Sequence, residues 1–273
     1  MHTTHTGRPF RRHAVSMLLS LGLFSGMLTS AQTGPGQLVQ GSSGTMFGAS
    51  VTTWARLAPD GTVLSTGATL PMALIEYAPA MPKGMAPMTG PPAGYVPFAL
   101  DFPAAVKATT FLDHVDVGWV AGGHPPVYLV PHFDLHFFTV SAQAVQAIDC
   151  KDLSQAAPAQ LAPHYTPAVP PDAKPADICV PFMGFHSLPM TDLAPGMKFD
   201  KTMLAVYYAG QLNAIEPMVT RDTLMKKQSF ALPVPALAMV GKATRFPTHF
   251  EAVFDPASDA YQLTFSAFVK KAR

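Results

Sequence analysis

Short runs in which apolar and polar residues alternate follow one another along most of the chain. One of them, GASVTTWARLAPDGTVLSTGATL, extends from Gly48 to Leu70. Because successive side chains of a strand point to opposite faces of a sheet, this alternation predicts two strands. Pro59-Asp60-Gly61 between them supplies the restricted and positive φ angles of a tight turn. We therefore predict a β-hairpin here.

The same period of two returns in the second half of the chain. KTMLAVYYAGQLNAIEPMV predicts a hairpin that turns near Gly210–Asn213, and THFEAVFDPASDAYQLTFSAFV predicts another through Asp255–Asp259. Two short helices are expected after Ser141 and Thr220, whose hydroxyl groups suit helix N-caps. Strands do not alternate with long helices. We predict a mainly β fold, a single antiparallel barrel or sandwich with two or three short helices.

The amino-terminal segment has the pattern of an export signal. Arginines precede an apolar run, Ala14–Met27, and small residues follow it up to Ala31. We expect a signal peptide at 1–31, a flexible Gly/Ser/Gln-rich arm at 32–45 and a single β-rich domain at 46–273. The apolar run is shorter than the roughly 20 residues of a spanning helix, and prolines interrupt every later candidate, so no membrane span is expected.

Charge narrows the choice of partners. The segment 1–31 contains three of the 18 basic residues and none of the 17 acidic ones, so its removal leaves a net charge of −2. A nearly neutral chain lacks the basic surface that nucleic acid or anionic lipid requires. We predict no nucleic-acid partner and a periplasmic or extracellular location.

Cys150 and Cys179 are the only cysteines of the chain. Export would place them in an oxidising compartment, where paired cysteines normally form a disulfide. The loop between them is rich in proline and alanine and has little pattern of its own. We predict that a Cys150–Cys179 disulfide fastens this loop.

Ionisable groups interrupt the apolar stretch GGHPPVYLVPHFDLHFF, residues 122–138. His132, Asp134 and His136 would share one face of a strand, while the aromatic and leucine residues between them form a core face. Imidazole and carboxylate groups are costly to bury without partners. The polar face must therefore meet water, pair its own groups or hold an ion.

Spacing limits how these side chains can share a ligand. Residues i and i+2 lie roughly 6.6 Å apart and can converge on one metal, whereas residues i and i+4, roughly 13 Å apart, normally cannot. His132–Asp134 or Asp134–His136 is therefore a candidate ligand pair, and all three together would need a bulge or a strong twist. Asp134 could instead orient a ligating histidine by accepting its second N–H.

Other ligands must come from elsewhere in the chain. His186 lies in a Gly-flanked segment that ends a strand, and Glu216 ends an apolar strand before Pro217. The predicted metal ligands are His132, Asp134, His136, His186 and Glu216, with His114 and His124 in support. Zinc, manganese or iron would accept these donors, and the sequence selects none of them. Structural hydrogen bonds in a subunit interface and a metal-free acid/base site remain alternative interpretations.

A second, softer donor set lies in the Pro/Gly/Met-rich loop 79–97. Met81, Met85 and Met88 could bind Cu(I) through their thioethers, or they could pack as adaptable apolar side chains. Ser187 follows His186 in sequence, but no nucleophile motif surrounds it, so a hydrolytic serine is not predicted.

Several segments together resemble an uncharacterised family of exported bacterial β-rich proteins that is catalogued as a domain of unknown function. They are WVAGGHPPVYLVPHFDLHFF (119–138), MGFH (183–186) and EPMVT (216–220), and the similarity extends in order over nearly the whole mature chain. The resemblance implies a β-rich fold and a homo-oligomer, with no agreed activity. Two functions stay open: an oligomeric binding or envelope-stress protein whose cluster holds a metal ion or is structural, and a metal-dependent enzyme that uses the cluster.

Overall fold

The computed structural model of the chain describes residues 36–81, 83, 97–125, 127–169 and 172–271. The predicted signal peptide at 1–31 lies outside the described residues, and so do Met85 and Met88. Met81 is half-buried, and its sulfur lies beside the backbone of Gly122.

Two antiparallel sheets make up most of the described chain. Their strands are β1 Gln37–Met46, β2 Ala49–Leu57, β3 Val63–Pro71, β4 Ala99–Asp101, β5 His114–Val120, β6 His132–Phe138, β7 Tyr165–Pro167, β8 Phe185–Pro189, β9 Lys201–Tyr208, β10 Gln211–Thr220, β11 Phe230–Leu232, β12 Thr244–Asp255 and β13 Ala260–Lys271. The strand order is β1-β2-β3-β13-β12-β11 in the first sheet and β4-β5-β6-β10-β9-β8-β7 in the second. Neither sheet closes on itself within the described ranges. The predicted mainly β fold is thus confirmed, as a sandwich and not as a barrel.

The helices are short but more numerous than predicted. Where two or three were expected, the described residues form five: α1 Met72–Glu76, α2 Ala104–Thr109, α3 Ala142–Gln146, α4 Pro175–Ile178 and α5 Arg221–Leu224. Both predicted caps are confirmed, since Ser141 accepts a hydrogen bond from Ala144 N and Thr220 accepts one from Thr223 N. The other helices are single turns, too short to produce a periodic pattern. No helix in the described part of the chain combines the length and the apolar character needed to cross a membrane.

All three predicted hairpins are confirmed. Around Gly61, whose φ is 83°, Ala58 N donates to Thr62 O at 2.8 Å and closes the turn between β2 and β3. Tyr208 pairs with Gln211 across the β9–β10 turn. In the same way, β12 and β13 are joined through Asp255–Asp259, the segment that the sequence indicated.

Most of the segment 32–45, which was predicted as a flexible arm, forms strand β1, while residues 32–35 lie outside the described residues. β1 pairs with β2 from Gln37, opposite Leu57, to Met46, opposite Ala49. Its side chains are exposed or half-buried, so it lacks the hydrophobic alternation from which strands are predicted. Main-chain hydrogen bonds at the edge of the sheet hold it instead.

The main core lies between the two sheets. Phe137 of β6 meets Phe265 of β13 with ring centroids 4.8 Å apart, and it stacks on Phe102 at 5.9 Å. Phe133 and Leu135 of β6 belong to the same cluster and are fully buried or nearly so. The odd-numbered residues of β6 thus form its core face, as predicted.

The opposite face of the second sheet is also covered. Two smaller apolar clusters lie on it, one formed by Tyr128, Leu188, Leu204 and Met218 and the other by Phe138, Val145, Val206 and Ala214. The loop between β5 and β6 contributes Tyr128, and the segment between β6 and β8 contributes Val145. The polar face of β6 therefore lies in an enclosed layer of the molecule.

A disulfide joins Cys150 to Cys179, as predicted, with their Cα atoms 5.8 Å apart. The loop that it closes contains β7, which forms the edge of the second sheet beside β8. Pro167 pairs with Ser187, and Ala168 N donates to the carbonyl of His186 at 2.8 Å. The disulfide loop thus holds the strand that carries His186.

Candidate metal centre

The position of β6 in the sheet determines where its polar side chains lie. β6 is flanked by β5 and β10, and all seven of its residues are buried. His132, Asp134 and His136 point away from the main core, because they alternate with residues of the core face. Burial of three ionisable groups in a row requires compensation, and neighbouring elements supply it.

His124, His132 and Asp134 form the first group. The carboxylate of Asp134 faces both imidazoles, with Oδ1 at 3.0 Å from His132 Nε2 and Oδ2 at 3.7 Å from His124 Nε2. One ligand atom from each residue lies within 4.8 Å of the others. His124 reaches this position from the β5–β6 loop, directly after Gly123, whose φ of 69° suits glycine.

In His124 and His132, the hydrogen bond made by Nδ1 determines which ring nitrogen faces Asp134. His132 Nδ1 lies 2.6 Å from the carbonyl of Val130, and His124 Nδ1 lies 3.0 Å from the carbonyl of Pro125. A carbonyl oxygen only accepts, so Nδ1 is the donor in both cases. With Nδ1 engaged as a donor, Nε2 is the nitrogen of each ring that is left to bind a metal ion beside Asp134. Histidines that ligate a metal are commonly oriented in this way.

Aromatic rings form a wall around the first group. The His132 ring lies 5.2 Å from that of Phe199, and the His124 ring lies 5.7 Å from that of Tyr128. Tyr128 is fixed by donating its hydroxyl to Asp192 at 2.8 Å. This wall keeps the imidazoles of the group in one orientation.

His136, His186 and Glu216 form the second group, from three different strands. Glu216 Oε1 lies 3.2 Å from His136 Nε2, and Oε2 lies 3.4 Å from His186 Nε2. Their ligand atoms also lie within 4.8 Å of one another. The side chains of His136 and Glu216 are 2% exposed and that of His186 is 15% exposed, so His186 forms the solvent side.

Burial favours the neutral forms of the second group's side chains when no cation is bound. It lowers the pKa of His136 to about 4 and that of His186 to about 3, so both imidazoles carry a lone pair at neutral pH. Burial, together with the charge of Asp134, raises the pKa of Glu216 well above its usual range. A bound cation would favour the ionised carboxylate and release its proton.

The first group differs in its charge. Burial alone would lower the pKa of His124 and raise that of Asp134. The charges and hydrogen bonds within the group outweigh burial: His132, followed by His124, holds the pKa of Asp134 below its usual range, and Asp134 raises the pKa of His124. The first group is therefore an ion pair that a cation would replace.

Within the part of the chain that the structure describes, four buried atoms of the two groups have no hydrogen bond from outside their own group. They are His132 Nε2, Asp134 Oδ1, His136 Nε2 and Glu216 Oε2. All four are donors of the kind that zinc, manganese and iron accept, and all four face inward to their own group. One cation in each group would bind the two atoms that belong to it.

The predicted five-residue set therefore does not form one centre. His132 and Asp134 join His124 in the first group, while His136 joins His186 and Glu216 in the second. The strand is regular here, since Asp134 and His132 pair with Met218 and Thr220 in unbroken register, and no bulge brings His132 and His136 together. The predicted pair Asp134–His136 is divided between the groups.

The supporting histidines behave differently from each other. His124 is a member of the first group. His114 belongs to neither group: its ring stacks on Phe138 at 5.0 Å, and its Nδ1 lies 3.1 Å from Asp113 Oδ1. His114 therefore has a structural place at the edge of the polar layer.

One buried carboxylate of this layer was not predicted as a site residue. Asp116 of β5 pairs directly with His136 of β6 and is 2% exposed. Its alternation with His114 was visible in the sequence, but the register that sets it opposite His136 was not. Because paired residues of neighbouring strands share a face, the carboxyl group of Asp116 lies on the same face of the sheet as the second group.

Removal of the disulfide should affect both the stability of the protein and the second group. Replacing both Cys150 and Cys179 by serine should lower the free energy of unfolding by about 3–4 kcal/mol, because the unfolded chain regains the closed loop's entropy. It should also weaken metal binding by the second group alone, since β7 positions His186. Denaturant unfolding and zinc titration of single-group variants measure the two effects. Equal weakening of both groups would contradict the assigned role of β7.

Each group offers two imidazole nitrogens and one carboxylate. Structural zinc sites normally have four protein ligands, and catalytic ones have three with an open position. Two histidines and one carboxylate also suit non-haem iron, and the donor types do not distinguish among zinc, manganese and iron. Comparisons with protein-family models, curated proteins and solved structures find no match to this chain, so the geometry of the two groups carries the functional argument.

Proposed function

We propose that this is an exported metal-binding protein that holds one divalent transition-metal ion in each group. The observation that carries the proposal is that each group brings two imidazole nitrogens and one carboxylate oxygen within 4.8 Å of one another in a buried layer. In the metal-free protein these atoms face one another at 3.0–3.7 Å, and a cation bound by all three would compensate more fully for their lost hydration.

Export and self-assembly belong to the same proposal. The disulfide supports export, because such bonds persist mainly in oxidising compartments. Exposed apolar side chains close to the first group support self-assembly: Leu129, Val130, Met190 and Leu193 lie on the two segments that the Tyr128–Asp192 hydrogen bond connects.

A metal-dependent enzyme is the second candidate, and one feature favours it. Each group supplies three protein ligands, which leaves a position for water or a substrate. The more exposed histidine of each group, His124 or His186, marks the side from which a small molecule would approach.

Metal content tests the proposal directly. Protein purified without a chelating column should contain two metal ions per chain. His132→Ala and His136→Ala should each remove one ion, and the double variant both. His249→Ala is the matched control, because this histidine is half-exposed and belongs to neither group. Elemental analysis gives the count, and light scattering of the same samples gives the subunit number. Wild-type protein that takes up no metal from a zinc-containing buffer would refute the proposal.

A further inference from the structure

The charge of the two groups has a consequence once they are loaded. This step rests on the proposed function. Each divalent ion brings two positive charges, and each group supplies one carboxylate and two imidazoles that bind as neutral ligands. Asp134 and Glu216 therefore neutralise only half of the added charge.

Few other charges are available to complete the balance. Within the described ranges, Asp134 and Glu216 form ion pairs with histidines alone. Asp116 has the one further buried carboxyl group of the second sheet in this part of the chain, and even its full ionisation would leave an excess of one positive charge. Asp192 is separated from the first group by the ring of Tyr128, to which it is hydrogen-bonded.

An uncompensated charge in a buried layer is costly, and an anion removes that cost by binding. Three protein ligands leave an open position on each ion. Because Asp134 and His136 are two residues apart on one face of β6, both ions would act on the same small region. Oxygen donors suit zinc, manganese and iron alike.

We infer that the loaded protein binds a small oxyanion, a carboxylate or a phosphate, at the open coordination positions of the two groups. His124 and His186 form the solvent side, with side chains 28% and 15% exposed, so the anion enters beside them. Carboxylate and phosphate both offer a negatively charged oxygen. Separate titrations with the two anions show which of them binds.

The test is calorimetric titration of zinc-loaded wild-type protein, freed of excess zinc, with sodium phosphate and with sodium acetate. We expect at least one of them to bind at one per chain with a dissociation constant below about 1 mM, while the metal-free protein binds neither. Metal content is measured on the same samples. Two zinc ions per chain without binding of either anion up to about 10 mM would overturn this inference and leave the proposed function intact. Absence of zinc would overturn both.

A variant of Asp116 tests whether the excess positive charge is the cause of anion binding. Asp116→Asn keeps the shape of the side chain but removes its charge, so it should tighten anion binding about tenfold without changing the zinc count. Asp101→Asn on β4 is the control, because its side chain is 58% exposed and screened by water, and it should leave the affinity unchanged. Unchanged or weaker binding by folded Asp116→Asn would overturn the charge argument. If this variant does not fold, the wild-type titration decides.

Discussion

Zinc at 1,000 times its dissociation constant should raise the free energy of unfolding by about 4 kcal/mol for each group. The reason is that the ion binds the assembled donors of the folded chain and has no equivalent site in the unfolded one. For a domain of this size, that corresponds to an increase in melting temperature of about 8–16 °C per group. Thermal unfolding with and without zinc measures it.

Variants separate the two contributions. Asp134→Asn and Glu216→Gln should each remove about half of the zinc-dependent increase, because each removes the only carboxylate of one group. If one variant removed all of it and the other none, only one of the groups would bind zinc.

The stability of metal-free Glu216→Gln shows whether its loss of zinc binding is due to misfolding. Because the pKa of Glu216 is raised in the folded state, its contribution to stability is present below the pKa of the unfolded chain and is lost as pH rises through the folded pKa. A glutamine does not ionise and escapes this loss. Metal-free Glu216→Gln should therefore be at least as stable as the metal-free wild type in alkaline buffer, although it binds less zinc.

Leu135→Ala should lower the free energy of unfolding by about 2–5 kcal/mol, the usual cost of a cavity in a core. Leu135 is 1% exposed and belongs to the main core, on the face of β6 opposite the two groups. The folded variant should still bind two zinc ions per chain. Denaturant unfolding and metal analysis measure the two expectations.

Leu153→Ala is the matched control for this change. It removes the same atoms from a leucine that is 38% exposed in the disulfide loop, and its effect should be within about 0.5 kcal/mol. A similar cost for both variants would show that β6 does not present Leu135 to the core.

The two-faced character of β6 could be predicted from its sequence because the period of a strand is a local property. Phe133, Leu135 and Phe137 alternate with ionisable residues, and the chain places them in the core accordingly. The hairpins were equally accessible, since turn residues such as Pro59-Asp60-Gly61 act over a few positions. Edge strand β1 was not, because main-chain hydrogen bonds hold it and its side chains carry little signal.

The division into two groups could not be predicted, because it depends on register between strands distant in sequence. Glu216 reaches His136 because β10 pairs with β6, and His186 joins them from β8, beyond β9. The i, i+4 distance argued against a single site for His132 and His136, but a bulge would have allowed one, and both were predicted in the same set of ligands. Assignment of His124 to one group required the path of the β5–β6 loop, which no periodicity encodes.

The hydrogen bond from Ala168 to His186 also bears on the order in which the protein matures. A newly made chain in a reducing environment would lack the covalent link that keeps β7 beside β8, and so would present an incomplete second group. If the protein is exported as proposed, loading would be complete only after thiol oxidation outside the cytosol, and the metal would be one that the outer compartment supplies.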